Sequence, residues 1–182
     1  AIFEHYFHVQ TLNAMQWDDA ARTEGGDILV ANTNLLCIGQ GIRTNRKGIE
    51  FLADHFSHNR AKFNLIIQEL PFHPESFIHL DMVFTFLGSH HCMVFEPMLT
   101  KKGVFSNLST TVVTIDNGKV SYRDVDNIIG ALKMLGNDYQ PILCGGEDPW
   151  SQMREQWHSG SNFFALGDCK VIGYERNGKT IE

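Results

Sequence analysis

Residues Phe77–Leu87 read FIHLDMVFTFL, and this segment decides the fold prediction. Nine of its eleven positions suit a buried β-strand, yet His79 and Asp81 stand two residues apart within it. Alternate side chains of a strand share a face, so both are predicted to point the same way. Leu80 and Met82 would then pack in the apolar layer behind them. Ionisable groups in a buried run are costly without a partner, so the segment predicts a partner from elsewhere in the chain.

The segment follows a complete strand-strand-helix-strand unit. DILVAN and LLCIG flank a turn at residues 32–34 and predict a tight β-hairpin. In NRKGIEFLADHF the apolar residues recur at helical spacing, behind a cap at Thr44 or Asn45. NLIIQEL, which ends at Pro71, is predicted as the third strand. The unit is therefore β-β-α-β.

The same order then begins again twice. IHLDMVFTF, a turn at Gly88-Ser89 and HHCMVFEP predict a second hairpin, which is followed by a helix from about Tyr122 to Leu135 and by the strand YQPILC. The connection is predicted to carry one extra strand, LSTTVVTI. NFFALGD and KVIGYER predict a third hairpin, whose helix and last strand are not in the sequence. We expect one incomplete, truncated domain over residues 1–182, with units at about 24–71, 77–144 and 160–182.

Each unit opens with a polar motif. These motifs are EGGD at Glu24–Asp27, HLD at His79–Asp81 and SGSN at Ser159–Asn162. If the units surround a common axis, the three openings converge and Glu24 becomes the partner of His79. Two carboxylates and an imidazole would form an anionic pocket suited to a cationic substrate and to proton transfer. Each motif alone also fits a structural role, since EGGD could be a glycine turn and HLD a His–Asp pair satisfied inside the core.

Composition excludes several classes of partner. Lys and Arg number 15 against 21 Asp and Glu, and no basic run is present, so nucleic acid is not expected. A chain of 182 residues with 43% hydrophobic content suits one globular domain. No apolar stretch is long enough to span a bilayer, and AIFEHYFHVQ lacks the regions of a signal peptide. We therefore expect no membrane association and a reducing, cytosolic location, which also suits four widely spaced cysteines, Cys37, Cys92, Cys144 and Cys169.

A metal site and a cysteine nucleophile are the alternatives to a carboxylate–imidazole site. The cluster His90–Cys92 is a poor metal site because adjacent strand residues face opposite sides, and neither HExxH nor a paired CxxC is present. Cys144 is the most reachable thiol, but nothing nearby marks it as activated. Arg43 and Arg154 are either solvated residues near helix ends or forks for a carboxylate.

Three segments resemble the arginine deiminases of the guanidine-modifying superfamily. They are EGGDILVANTNLLCIGQGIRTNRKGIEFLADHF, FIHLDMVFTFL and REQWHSGSNFFAL, in the order in which the family carries them. The resemblance runs from about Thr23 to Arg176. Relatives that hydrolyse methylated arginines resemble the EGGD and RTN segments but are not expected to carry the Asp of HLD, so Asp81 favours free arginine. The resemblance implies an α/β fold, a partial five-bladed α/β propeller of the pentein type, built of ββαβ repeats around a substrate channel.

The resemblance also implies a role for each matching position. Glu24, His79 and Asp81 would be the catalytic residues, with Glu24 holding the guanidinium and managing protons with His79. Asp81 would hold the guanidinium nitrogens through charge-assisted hydrogen bonds, and Asp27 belongs with it to the substrate-binding set. Arg43 would bind the α-carboxylate of the amino acid. In the family's reaction a Cys thiolate attacks the guanidinium carbon, ammonia leaves with help from the His, and hydrolysis of the adduct gives citrulline without a metal or organic cofactor.

The sequence departs from the family pattern in two places. A Phe-Thr-Arg-Asp-Pro segment is not found upstream of EGGD, and the family's nucleophilic Cys lies in a glycine- and arginine-rich loop past residue 182. Two interpretations follow. The chain is an interior piece of an arginine deiminase, inactive by itself, or it is a deiminase-like binding or regulatory protein that has lost the nucleophile. In both, the partner is L-arginine or a related guanidine, and a homo-oligomer is compatible with either.

Overall fold

The computed structural model describes residues 5–9, 11–168 and 170–182. In that part of the chain, ten strands form three sheets, none of which closes on itself. The strands are β1 Ile28–Asn32, β2 Leu35–Gln40, β3 Lys62–Glu69, β4 Phe84–Phe86, β5 His91–Val94, β6 Thr110–Asp116, β7 Lys119–Val125, β8 Gln140–Leu143, β9 Phe164–Gly167 and β10 Lys170–Ile172. The α-helices are α1 Ala14–Trp17, α2 Arg46–Asn59, α3 Glu96–Thr100, α4 Ile128–Met134, α5 Pro149–Trp157 and α6 Gly178–Ile181. Short 3-10 helices lie at Gly25–Asp27, Glu75–Phe77, Leu80–Met82 and Gly103–Phe105.

The first β-β-α-β order is present as predicted. Strands β1 and β2 form an antiparallel hairpin, and β3 returns parallel to β2 after α2. Asn45 caps α2, because its side-chain oxygen accepts from the backbone N–H of Gly48 at 2.9 Å. Ile49 and Ala53 of α2 pack against the sheet, which fixes the helix over one face of it. The helix prediction and its cap are confirmed.

The first sheet is wider than the repeat predicts, because β6 and β7 extend it to the order β1-β2-β3-β6-β7. The extra strand predicted from LSTTVVTI is β6, which pairs antiparallel with β3. The helix predicted from Tyr122 was wrong at its start, since Tyr122 lies in β7 and α4 begins at Ile128. Asn117 and Gly118, with φ of 48° and 77°, form the tight turn between β6 and β7. Asn-Gly favours such turns, so the pair is a hairpin signal.

The second unit forms a three-stranded sheet of order β4-β5-β8, with β8 parallel to β5. The predicted strand through FIHLDMVFTFL is shortened to Phe84–Phe86, because residues before it form a 3-10 helix. The N–H of Met82 donates to the carbonyl of His79 at 3.2 Å, and the N–H of Val83 donates to the carbonyl of Leu80 at 3.0 Å. These local bonds remove the backbone groups that a strand ladder would need.

A buried core joins the two sheets and fixes the 3-10 helix against β2. Leu80 and Phe84 pack in the same cluster as Cys37 of β2, and all three are fully buried. Phe77 and Phe105 close the cluster, with ring centroids 5.0 Å apart. Leu80 therefore packs behind the polar residues as predicted, whereas Met82 is only partly buried. The predicted third hairpin is present as β9 and β10, and α6 follows it.

Candidate active site

Glu24 stands directly before the 3-10 helix Gly25–Asp27, at the start of the first unit. Its backbone is extended, and its N–H donates to the Thr44 hydroxyl oxygen at 3.0 Å. The side chain remains 43% exposed, so the carboxylate faces open space while its backbone is held. A cavity of about 740 Å³ opens beside it and is lined in part by Arg43, Phe51 and Leu52.

His79 meets Glu24 across 55 residues of sequence, with its Nε2 2.8 Å from Glu24 Oε2. The hydrogen bond with His79 lowers the pKa of Glu24, and the charge of Arg43 adds to this effect. The two residues stand directly before two 3-10 helices that are far apart in sequence, so their contact is a product of tertiary packing. The prediction that Glu24 is the partner of His79 is confirmed.

Asp81 reaches the same site by a different route from the one predicted. It lies in the 3-10 helix Leu80–Met82, so the expectation that it shares a strand face with His79 was wrong. Burial raises the pKa of Asp81, while the neighbouring His79 and an interaction with the Asn162 side chain oppose the rise. Asn162 belongs to SGSN, so the three unit openings converge as the sequence predicts.

Asp27 lies behind the site, with no exposed surface. Its Oδ1 accepts from the backbone N–H of Leu80 at 3.0 Å. Burial raises the pKa of this carboxyl, against the effects of the Thr44 hydroxyl and the Leu80 N–H. In this arrangement Asp27 touches the backbone between His79 and Asp81, and its assignment to the substrate-binding set stays a prediction.

Arg43 comes from the loop between β2 and α2, and its Nη1 lies 3.4 Å from Glu24 Oε1. The guanidinium is about half exposed, so it can leave this carboxylate at small cost. Arg154, the other arginine singled out from sequence, donates to its neighbour Glu155 at 2.8 Å instead. Of the two arginines, only Arg43 contacts Glu24 within the described residues.

The described cysteines are poor nucleophiles in this arrangement. Cys37, Cys92 and Cys144 are fully buried, and burial raises the pKa of each thiol, to about 12 for Cys92. A thiolate, the nucleophilic form, is therefore disfavoured at all three positions. Cys169 lies outside the described residues.

Sequence reasoning missed two contributors to this geometry. Thr44 was singled out only as a helix cap, yet its buried hydroxyl holds the backbone of Glu24. Gly26 was interpreted as a turn residue, yet a Cβ there would lie 2.7 Å from the His79 ring. The only signal in sequence was the position of both residues within segments that resemble the family.

Within residues 5–9, 11–168 and 170–182 no group of three or more His, Cys, Asp or Glu is arranged to hold a metal ion. No helix in the same ranges has the length and apolar character needed to cross a membrane.

The fold and site define an α/β protein with a partly buried acidic pocket, an imidazole and a half-exposed guanidinium. The family model for arginine deiminase matches residues 2–182, so this chain belongs to the arginine deiminase family. The arginine deiminase of Lactococcus lactis subsp. cremoris (strain MG1363) is 32% identical over 174 residues, which cover 91% of this chain and 42% of that protein. The arginine deiminase of Lactococcus lactis subsp. lactis (strain IL1403) is 32% identical over 176 residues, with the same two coverages. The chain therefore spans less than half the length of these curated relatives.

Proposed function

We propose that this chain supplies the guanidinium-binding and proton-transfer part of an arginine deiminase, which converts L-arginine to citrulline and ammonia. The observation that carries the proposal is the 2.8 Å contact between His79 and Glu24, with Asp81 close to the imidazole. Two carboxylates beside one imidazole suit a planar cation whose nitrogens need acceptors and whose leaving group needs a proton.

The position of Arg43 supports the binding of a guanidinium at Glu24. Its own guanidinium lies 3.4 Å from Glu24 Oε1, where the substrate guanidinium would bind. Substrate would take this carboxylate from Arg43 and leave the side chain free for the α-carboxylate of the amino acid. The exchange replaces one guanidinium–carboxylate pair by two, which favours binding of a ligand with both charged ends.

His79 would move the protons. A cysteine thiolate forms a bond to the guanidinium carbon, and the C–N bond breaks as His79 gives a proton to the departing ammonia. His79 then takes a proton from water, which attacks the same carbon and releases the thiol and citrulline. Glu24 would orient the imidazole through both steps, as a carboxylate does for a general base.

The nucleophile is proposed to lie outside these 182 residues. The buried, protonated state of Cys37, Cys92 and Cys144 supports this, since none presents a thiolate to the site. We also propose that units 24–71, 77–144 and 160–182 are successive blades of a five-bladed propeller, supported by the repeated β-β-α-β order and the convergence of their openings. A cytoplasmic location, a homo-oligomer and cofactor independence stay predictions.

The test compares citrulline formation by this chain with that of a longer polypeptide that adds the nucleophilic segment. We expect no turnover by the 182-residue chain, turnover by the longer one, and a loss of about 10²–10⁴-fold in the longer one with His79→Ala. Calorimetry with L-arginine on this chain measures binding separately. Turnover by this chain that Cys144→Ser abolishes would refute our placement of the nucleophile. A longer polypeptide that binds arginine without turnover would support the binding protein instead.

A further inference from the structure

Asp27 and Thr44 form a buried pair directly behind the Glu24–His79 contact. Both residues have no exposed surface, and neither opens to the cavity beside Glu24. Groups with this burial cannot contact a ligand without a rearrangement, so their effect on the site must pass through the residues that they touch.

Asp27 contacts the backbone of the HLD motif. Its Oδ1 accepts the N–H of Leu80 at 3.0 Å, and Leu80 lies between His79 and Asp81 in the chain. One hydrogen bond therefore fixes the backbone that carries both side chains. The acceptor is a carboxylate inside the core, where a hydrogen bond to a charged group is stronger than a neutral one.

Thr44 contacts the backbone of the EGGD motif. Its hydroxyl oxygen accepts the N–H of Glu24 at 3.0 Å. The same hydroxyl opposes the rise in the pKa of Asp27 and so lies close to that carboxylate, although Asp27 Oδ2 has no hydrogen-bond partner. Thr44 thus fixes the backbone of Glu24 and lies beside Asp27, the residue that accepts from Leu80.

Gly39 of β2 makes room for Asp27 and Leu80. A Cβ at position 39 would overlap Asp27 Oδ1 and would lie 2.9 Å from the Leu80 side chain. The strand, the carboxylate and the 3-10 helix are therefore packed so closely that a displacement of Asp27 must displace Leu80. This close packing couples the position of Asp27 to that of Leu80.

We infer that Asp27 and Thr44 are positioning residues that hold Glu24 and His79 at hydrogen-bond distance, and that neither is a substrate ligand. The inference deepens the proposed function, on which its catalytic consequence rests, but the geometric link can be measured without turnover. It also gives Asp27 a role other than the contact with substrate that the family resemblance implies.

The experiment follows the Glu24 carboxyl of the 182-residue chain by ¹³C NMR during a pH titration. In the unchanged protein the pKa of Glu24 lies below its ordinary value of 4.5, chiefly because of the His79 hydrogen bond. Thr44→Val removes the acceptor for the Glu24 N–H at nearly the same volume and should return the pKa towards 4.5. Thr44→Ser keeps the hydroxyl and should retain the lowered value.

A second measurement separates the two halves of the link. Asp27→Asn removes the charge that holds Leu80 and should speed hydrogen exchange of the Leu80 amide and raise the pKa of Glu24. In the longer active polypeptide, Thr44→Val should lower kcat by about 10²-fold, as expected for a displacement of about 1 Å, with little change in KM.

Three results would overturn the inference. The first is a folded Thr44→Val variant with an unchanged Glu24 titration. The second is failure of both Thr44→Val and Asp27→Asn to fold while Thr44→Ser is native, because the pair would then serve overall stability. The third is direct loss of arginine binding in Asp27→Asn with the Glu24 titration unchanged, which would make Asp27 a ligand. A shifted Glu24 titration without any effect on turnover would keep the positioning role and count against the proposed reaction.

Discussion

Replacing Gly26 by Ala should disable His79 with a single methyl group. The Cβ of the new residue would lie 2.7 Å from His79 Cγ and Nδ1 and 3.0 Å from His79 Cβ. Ordinary contact begins at 3.4 Å, so the imidazole must retreat by about 0.7 Å, the difference between the two distances. Gly26 does not have a positive φ, so the backbone itself accepts alanine.

This displacement is large relative to the bond that it disturbs. The His79 Nε2 to Glu24 Oε2 distance is 2.8 Å, and a retreat of the ring away from Gly26 stretches or misaligns it. In an active polypeptide, misplacement of this order costs about 10²-fold in rate. That loss corresponds to about 2.7 kcal/mol in the activation free energy.

Gly25→Ala is the matched control, because a Cβ at Gly25 would meet nothing within 4 Å. The assay is citrulline formation by the two variants in the longer polypeptide, together with the pKa of Glu24 in the 182-residue chain. We expect Gly26→Ala alone to lose turnover and to raise the pKa of Glu24 towards its ordinary value. Equal turnover and equal Glu24 titrations in the two variants would refute the role assigned to the close His79 contact.

Three further predictions concern the carboxylates of Glu155, which is buried, and of Asp81, which is partly buried. Glu155 Oε2 accepts from the backbone N–H of Thr180 at 2.8 Å and from the Thr180 hydroxyl at 2.6 Å. At about 1.5 kcal/mol for each of these two hydrogen bonds to a charged group, Glu155→Gln should lower the free energy of unfolding by about 3 kcal/mol. Urea unfolding measures this loss, with Glu175→Gln at an exposed position as the control. Burial raises the pKa of Glu155, but hydrogen bonds with Thr180, Lys179 and Arg154 outweigh it and lower the pKa below its ordinary value of 4.5. The stability that Glu155 contributes is therefore present above pH 4.5 and lost as pH falls through the folded pKa. The difference in free energy of unfolding between the unchanged protein and Glu155→Gln should narrow below pH 4.5, and a constant difference would contradict this role of Glu155. Asp81→Asn should weaken L-arginine binding by about tenfold or more, because a charge-assisted hydrogen bond becomes a neutral one. Calorimetry measures the affinity, and equal affinities would show that Asp81 does not bind the guanidinium.

Local sequence signals predicted most of the secondary structure. The hairpin of β1 and β2 and the cap of α2 at Asn45 depend on residues close to each other in the chain, so the sequence alone was sufficient for both. Asn117-Gly118 carries the same kind of local signal and forms the turn before β7, so the helix prediction from Tyr122 conflicts with a local signal and not with a tertiary one.

The pairing of Glu24 with His79 was predictable because the two residues occupy parallel places, each shortly before the first strand of a β-hairpin. The shape of the segment around His79 was not predictable in the same way. An apolar run of this length is compatible with a strand or with other buried structure, and periodicity alone does not decide between them.

The sequence by itself determined the three β-hairpins, helix α2 and the residue types of the polar motifs, because these depend on propensity and spacing along the chain. Only the tertiary structure decided that residues 80–82 form a 3-10 helix, since the Leu80 N–H donates to Asp27, 53 residues away. Only the tertiary structure placed Asp27 in the core and left Glu24 partly exposed, although both belong to EGGD. Burial and hydrogen-bond partners are properties of the packed units, so residues of one motif can serve either the site or the structure behind it.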